Sequence, residues 1–324
     1  MILTKEQLKT ITCGAVDIVE EDGKYMFRRF TEEQTKYYAI YRNEDYSKKT
    51  LTAAGVRFAF ETDSKSFGFE CSITHVPGGG FGYFDIYVNN AMVEHVGVET
   101  GGGELSVEIP LGDGVKLVEV YFPWSKLVKL SDITLDDGAI LLPVKRCRVM
   151  INYGDSITHG YQSQYPSLSY ASRLARMLNA DSYNKAIGGD RFFPELLELP
   201  EDIKPDIVTV AYGTNDWRCH TRPTLTRRCR EFLSRLSEKF PEAKIFVVSP
   251  IWRNVLTSEK FDGPCTDVHD IITEACAELQ NVSVIDGWNL TPHLLPFYTD
   301  GLHPNDLGMS IYAENLYREI LKLL

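Results

Sequence analysis

The order of short apolar runs after Cys147 constrains the fold more than any other feature of the sequence. Five such runs, several of them nearly continuous, alternate with stretches that have the periodicity of amphipathic helices. Strands that are buried on both faces of a parallel sheet have this character, and the helices between them cover those faces. The alternation therefore predicts an α/β/α three-layer domain with a five-stranded parallel sheet. The runs are RVMINYG, SYNKAIG, DIVTVAYG, KIFVVSP and VSVIDGW.

Residues 1–143 follow a different pattern. Short β-branched and aromatic runs with partial alternation are separated by turn sequences such as PGGGFG, TGGGE and LGDGV. Two strand-like runs flank the Glu21-Asp22-Gly23 turn, which is a hairpin signal. The one candidate helix in this part covers residues 4–10. The pattern predicts an all-β sandwich, jelly-roll-like, as an N-terminal domain of residues 1–143, followed by the α/β/α domain at 144–324.

Charge and cysteine content narrow the classes of function. The formal net charge of −11 disfavours nucleic acid and anionic membranes as partners, because both bind patches of Lys and Arg. The seven cysteines have no C-x-x-C or zinc-type spacing, so we expect reduced thiols and no metal. The start MILTKEQLKT has no apolar signal-peptide region, and no apolar run reaches the ~20 residues of a membrane span. We therefore expect a cytoplasmic protein, whose oligomeric state the sequence leaves open.

Four polar clusters carry residues suited to acyl transfer. YGDSITHG, AIGGD and YGTND follow the first three strands of the predicted parallel sheet, and DGLHPN opens the last helix. Because active sites of such sheets lie at the carboxyl ends of the strands, these clusters are expected to converge. Ser156 offers a hydroxyl on a tight turn, and His303 offers a base. Asp300, three residues earlier, can fix the imidazole tautomer.

The second and third clusters supply hydrogen-bond donors. Gly188 and Gly189 can present backbone N–H groups at close approach, and Asn215 can present a side-chain amide. Donors of this kind stabilise the oxyanion that develops on an ester carbonyl during attack.

The order Gly-Asp-Ser, Gly, Gly-x-Asn-Asp and Asp-x-x-His resembles that of the SGNH (GDSL-type) hydrolase superfamily, over about residues 147–324. The resemblance implies a catalytic triad and an oxyanion hole. The triad would be Ser156, His303 and Asp300, and the oxyanion hole would be formed by Ser156, Gly189 and Asn215. Gly188 also fits the second block, and Gly189 is preferred because it precedes Asp190. The β-sandwich in front resembles a subgroup of carbohydrate esterases.

Three residues near these blocks are candidates for the substrate pocket: Trp217, Asp190 and Arg191. A core position is the alternative for Trp217. Arg218 could touch substrate as Arg191 could, and an exposed ion pair is the alternative for both arginines. His159 is predicted to be a surface or cap residue. The whole pattern predicts a serine esterase without a cofactor, acting on short acyl esters and in particular on O-acetyl groups of saccharides. An acyltransferase that uses the same acyl-enzyme and a non-catalytic glycan-binding protein are the alternatives.

Overall fold

The computed structural model describes all 324 residues of the chain, which form two compact units. The first unit comprises Met1–Arg146 together with Gln164–Ser167. The second unit comprises Cys147–Ser163 and Leu168–Leu324.

The first unit contains eleven strands in two antiparallel sheets. The strands are β1 (Thr12–Cys13), β2 (Asp17–Glu21), β3 (Lys24–Arg28), β4 (Arg57–Thr62), β5 (Ser66–His75), β6 (Gly82–Val88), β7 (Ala91–Val98), β8 (Gly103–Pro110), β9 (Lys116–Tyr121), β10 (Lys126–Leu135) and β11 (Leu142–Pro143). One sheet has the order β1-β4-β9-β6-β7, with β11 paired to β4, and the other has the order β2-β3-β10-β5-β8. The antiparallel sheets are confirmed, while the jelly-roll-like arrangement stays a prediction.

Aromatic side chains from both sheets fill the core of this unit. The rings of Phe27 and Phe58 lie 5.3 Å apart, and those of Phe69 and Phe84 lie 5.1 Å apart. All four residues are at most 2% exposed. Burial of each such side chain contributes about 1.5–3 kcal/mol, so these rings account for much of the attraction between the two sheets.

This part also contains three helices, and the two that interrupt the predicted β region make the all-β description wrong there. The helices are α1 (Lys5–Ile11), α2 (Glu32–Tyr41) and α3 (Glu44–Thr50), and the sequence indicated only the first. Gln34 and Tyr38 are the buried residues of α2, so this helix shows no apolar stripe. Its start does carry a signal, since Thr31 and Gln34 form a capping box that satisfies two backbone N–H groups.

The second unit is built on a parallel sheet with the order β13-β12-β14-β15-β16, which confirms the predicted five-stranded sheet. Its strands are β12 (Arg148–Gly154), β13 (Ala180–Asn184), β14 (Ile207–Ala211), β15 (Lys244–Val248) and β16 (Val282–Ile285). Its helices are α4 (Ser156–His159), α5 (Tyr170–Met177), α6 (Thr214–Cys219), α7 (Arg222–Lys239), α8 (Asp267–Cys276) and α9 (Asp306–Leu323). The strand order reverses between β12 and β14, and ligands of doubly wound folds bind at such a switch point.

Helices cover both faces of this sheet. Met150 of β12 packs in one cluster with Leu174 of α5 and Tyr312 of α9. Tyr153 of the same strand points to the opposite face of the sheet, where its ring packs against that of Phe232 in α7 with the ring centroids 5.9 Å apart. No helix of either unit is both long enough and apolar enough to cross a membrane.

Candidate active site

The Gly-Asp-Ser turn follows β12 directly and begins α4. Asp155 is the N-cap residue, and its Oδ1 accepts a hydrogen bond from the Ile157 N–H at 3.0 Å. Gly154 leaves no room for a side chain, because a Cβ there would lie 2.1 Å from Thr158 Oγ1. Gly160 ends the helix with a φ of 111°, in the left-handed region. The turn therefore holds Ser156, which is 6% exposed, at the carboxyl end of β12.

His303 connects Ser156 to Asp300. The His303 Nε2 lies 2.8 Å from Ser156 Oγ, and the Nδ1 lies 2.7 Å from Asp300 Oδ2. With the Nδ1 proton donated to the carboxylate, Nε2 is the basic nitrogen that can accept the serine proton. The arrangement can therefore remove a proton from the hydroxyl while the oxygen attacks an electrophile.

Asp300 is held by its own loop. Its Oδ1 accepts hydrogen bonds from the backbone N–H groups of His303 at 2.8 Å and Leu302 at 3.0 Å. Partial burial raises the pKa of Asp300, but the bonds and charge from His303, together with the Leu302 N–H, outweigh burial and place the pKa below the ordinary value of 3.8. The carboxylate is therefore ionised wherever the imidazole can act as a base.

The second block follows β13 and uses its two glycines differently. The Gly188 N–H donates to His159 Nδ1 at 3.1 Å, and a Cβ on Gly188 would lie 2.3 Å from the Tyr161 hydroxyl. Gly189 has a φ of 86°, a backbone conformation that favours glycine. The Gly188 N–H is therefore already bonded, and the choice of Gly189 as the oxyanion donor stays a prediction.

The third block begins α6 after β14. Gly213 has a φ of 117°, and a Cβ there would lie 2.8 Å from a methyl group of Val268. The Asn215 side-chain amide donates to the backbone oxygen of Asp190 at 3.1 Å, which connects the second and third blocks. A primary amide has two hydrogens, and this bond uses one of them. The second hydrogen is the one that an oxyanion would accept.

The three candidate pocket residues differ in their surroundings. Trp217 is 1% exposed and its indole N–H donates to the Gly263 carbonyl at 3.0 Å. Asp190 is 0% exposed and accepts a bond from the Tyr212 hydroxyl at 3.4 Å, so its carboxylate supports the block instead of facing a substrate. Arg191 is half-buried.

Two residues beside the site carry no recognisable signal in the sequence. His159 is 2% exposed and accepts the Gly188 N–H, so the prediction of a surface or cap position is wrong. The Tyr161 ring stacks beside the His303 ring, with centroids 5.8 Å apart. Both residues are close to Ser156 in the sequence, but their partners Gly188 and His303 come from distant parts of the chain.

A group of buried carboxylates lies under the site: Asp155, Asp190 and Asp216, all at most 3% exposed. Burial is the largest cause that raises the pKa of Asp155, and the charges of Asp216 and Asp190 act in the same direction. The Ile157 N–H and Arg253 oppose them, and the pKa is about 7. Asp216 accepts the Phe192 N–H at 3.3 Å. These groups fix the turns that carry Ser156 and Asn215.

The fold and the four blocks define the class: the second unit is a hydrolase domain of the doubly wound α/β type. Residues 153–311 match the family model described as GDSL-like lipase/acylhydrolase. The second unit therefore contains a GDSL-like lipase/acylhydrolase domain, and the recognition of an SGNH-type hydrolase from its motifs is confirmed.

Solved structures share this fold. A salicylyl-acyltransferase, SsfX3, from a tetracycline biosynthetic pathway is 23% identical, with a TM-score of 0.82 over 96% of this chain and 94% of that one. A family two carbohydrate esterase from Clostridium thermocellum, in complex with cellohexaose, is 19% identical, with a TM-score of 0.65 over 84% of this chain and 93% of that one. An acetyl xylan esterase from the rumen bacterium Butyrivibrio proteoclasticus is 15% identical, with a TM-score of 0.65 over 99% and 96% of the two chains. No curated protein matches the sequence.

Proposed function

We propose that the protein is a serine esterase that removes short acyl groups, and in particular acetyl groups from saccharide hydroxyls. The observation that carries the proposal is a pair of consecutive hydrogen bonds. Ser156 Oγ lies 2.8 Å from His303 Nε2, and His303 Nδ1 lies 2.7 Å from Asp300 Oδ2. These two bonds align a nucleophile, a base and an ionised carboxylate in the order that acyl transfer requires.

In the first half-reaction, Ser156 Oγ forms a bond to the ester carbonyl carbon while its proton passes to His303 Nε2. The carbonyl oxygen becomes an oxyanion, which the N–H groups of Ser156 and Gly189 and the amide of Asn215 would stabilise. Collapse of the tetrahedral intermediate breaks the bond to the alcohol oxygen, and His303 returns the proton to that leaving group. The product is an acyl-enzyme at Ser156 and a free alcohol.

In the second half-reaction, water loses a proton to His303 and attacks the acyl-enzyme. The proton then returns to Ser156 Oγ as the bond to the acyl group breaks, and a carboxylic acid leaves. Asp300 stays ionised and stabilises the imidazolium in both halves, which its lowered pKa permits.

Three observations support a short acyl group and a saccharide alcohol. The loops after Ser156 and Asn215 are short, which leaves little sequence for the lid of a long-chain lipase. No long, exposed amphipathic helix is left over to bind a lipid surface. Two structural neighbours are carbohydrate esterases by name, and one was solved with cellohexaose.

The test is kcat/KM for 4-nitrophenyl esters of C2, C4 and C8 acids, with acetate release from acetylated mono- and oligosaccharides measured in parallel. A small acyl pocket changes transition-state binding by about 1–3 kcal/mol per methylene, so C2 should exceed C4, and C8 should be very poor. Ser156→Ala provides the background rate. A preference for C8, or no acetate from any saccharide, would reject this substrate class.

The acyltransferase neighbour favours a second candidate, in which an alcohol other than water accepts the acyl group. The acyl-enzyme is the same, and only the second nucleophile differs. Adding alcohol acceptors and measuring the partition between hydrolysis and transfer separates the two. A chain that bound saccharides without hydrolysing any ester would be a glycan-binding protein instead.

A further inference from the structure

A cavity of 520 Å³ lies in the second unit beside the block that carries Asn215. Two segments line it, one from α6 and one from the chain after β15. The lining residues are Trp217, Arg218, Arg253, Val255, Thr257, Ser258, Glu259 and Lys260. None of the triad residues lines this cavity, so it is a separate space that adjoins the candidate active site.

Two contacts place the cavity next to the reacting groups. Arg253 Nη1 donates to Thr214 Oγ1 at 2.8 Å, and Thr214 directly precedes Asn215. The Asn254 N–H donates to the Gly301 carbonyl at 2.8 Å, and Gly301 lies between Asp300 and His303. The segment after β15 therefore contacts both the oxyanion block and the loop of the base.

Arg253 is a buried cation in the wall of the cavity. It is 5% exposed, its guanidinium lies 4.8 Å from the ring centroid of Trp217, and its Nε has no hydrogen-bond partner. Burial lowers the pKa of Arg253; the Cys265 thiol opposes this effect, and the charge of Arg218 adds to it. A buried guanidinium with an unsatisfied donor, close to a second positive charge, is a site that an anion would stabilise.

Arg218 is that second charge. It is exposed, and its side chain has no hydrogen bond or ion pair. It follows Asn215 by three residues in α6, so both side chains lie on the same side of the helix. Lys260 adds a third cation to the lining, against one carboxylate, Glu259. The chain as a whole has a net charge of −11, so this cavity has the opposite sign to the protein.

We propose that this cavity binds a carboxylate of the ester substrate, with Arg218 as the direct partner and Arg253 as the buried support that fixes the wall. The inference rests on the proposed esterase function and narrows its substrate to anionic esters. A planar guanidinium binds a carboxylate through two parallel N–H bonds, which also orients the ester relative to Asn215. The carboxylate belongs either to the acyl group, as in a dicarboxylic half-ester, or to the alcohol, as in an acetylated acidic sugar.

Two matched pairs of substrates distinguish these sources. On the acyl side, the 4-nitrophenyl half-ester of succinic acid is compared with 4-nitrophenyl butyrate. On the alcohol side, acetylated methyl glucuronoside is compared with acetylated methyl glucoside. We expect the anionic member of one pair to have a kcat/KM about tenfold or more above that of the neutral member. A charge-assisted hydrogen bond stabilises a complex by enough to give a ratio of this size.

Arg218→Ala should lower the anionic-to-neutral ratio of kcat/KM by about tenfold, and Arg218→Lys should keep part of it. Arg230→Ala, an exposed arginine on α7 outside the cavity, is the matched control and should leave the ratio unchanged. A ratio near one for both pairs in the natural chain, or a ratio that survives Arg218→Ala, would overturn the proposal.

A binding measurement that needs no ester hydrolysis tests the anion site independently of the proposed esterase function. In Ser156→Ala protein, calorimetric titration should show binding of succinate or glucuronate that Arg218→Ala weakens. If the natural chain hydrolyses no ester of either pair, the esterase proposal fails and this titration alone decides the anion site. Absence of binding for both carboxylates would then reject it.

Discussion

Asp300 accepts three hydrogen bonds from its own loop, two from backbone N–H groups and one from the His303 ring. These bonds orient the imidazole toward Ser156 before any substrate arrives, so the base needs no rearrangement. At the scale of single residues, the proposed mechanism therefore depends on His303 as the group that moves protons and on Asp300 as a fixed negative charge.

His303→Ala should be nearly as severe as loss of Ser156, and Asp300→Asn should be milder or equal, because the base acts in both half-reactions. The pH dependence of kcat/KM should show one acid limb, from protonation of the base. Since the pKa of Asp300 lies below its ordinary value, protonation of that carboxylate adds no limb above about pH 4. A profile without any acid limb would count against His303.

Asn215→Ala should lower kcat by roughly 10²–10³-fold with little change in KM, because its amide would act on charge that exists only in the transition state. Steady-state kinetics on an acetate ester measure both constants. Asn289→Ala, at an exposed asparagine, is the control. A raised KM with an unchanged kcat would make Asn215 a substrate-binding residue.

Among single residues, the sequence identifies those whose chemistry stands in a recognisable order along the chain. Ser156, Asn215, Asp300 and His303 are of this kind. His159 and Tyr161 are not, because their roles come from contacts with Gly188 and His303 that only the folded chain creates. Arg253 was missed for the same reason, since its partner Thr214 is 39 positions away.

At the scale of elements, the parallel sheet was predictable because its strands are continuous apolar runs. Helices α2 and α3 were not, because few of their side chains are buried and their sequences show no apolar period. The DGLHPN cluster was predicted to open the last helix, and α9 begins just after it, at Asp306, with Asn305 as its N-cap. Short polar caps decide such boundaries, and hydrophobic patterns do not detect them.

Asp155, the N-cap residue of α4, should make the free energy of unfolding depend on pH. Asp155 holds its proton up to about pH 7 in the folded chain, whereas an unfolded aspartate loses it near pH 4. Between these values the folded state binds the proton and the unfolded state does not, so the free energy of unfolding falls as pH rises. Above about pH 7 this loss is complete.

Asp155→Asn keeps a side-chain oxygen for the Ile157 N–H and removes the titrating group. The Tm of the variant minus that of the natural chain should therefore increase from about pH 5 to about pH 8. Thermal unfolding followed by circular dichroism measures this difference. Asp113→Asn, at an exposed position, should show no such trend. A difference that stays constant with pH would mean that Asp155 is ionised in the folded chain.

At the scale of the whole molecule, the division of the chain differs from the one the sequence suggested. The sequence pattern divides it after residue 143, whereas the contacts divide it after Arg146 and assign Gln164–Ser167 to the first unit. In that unit the Ser167 N–H donates to Asp85 at 2.8 Å, and the Tyr87 and Ser167 hydroxyls lie 2.9 Å apart. Gln164–Ser167 is too short to show a hydrophobic period, so the sequence pattern could not assign this segment to the first unit.

The proposed mechanism requires that Ser156 forms a covalent acyl-enzyme. A fluorophosphonate, which reacts with activated serines, followed by intact-mass measurement and peptide mapping, tests it most directly. We expect one adduct per chain, located at Ser156, formed more slowly in the presence of an acetate ester and absent from Ser156→Ala. That variant should fold normally by circular dichroism and lose on the order of 10⁶-fold in kcat. An adduct on another residue, or near-normal turnover by folded Ser156→Ala, would show that Ser156 is not the nucleophile.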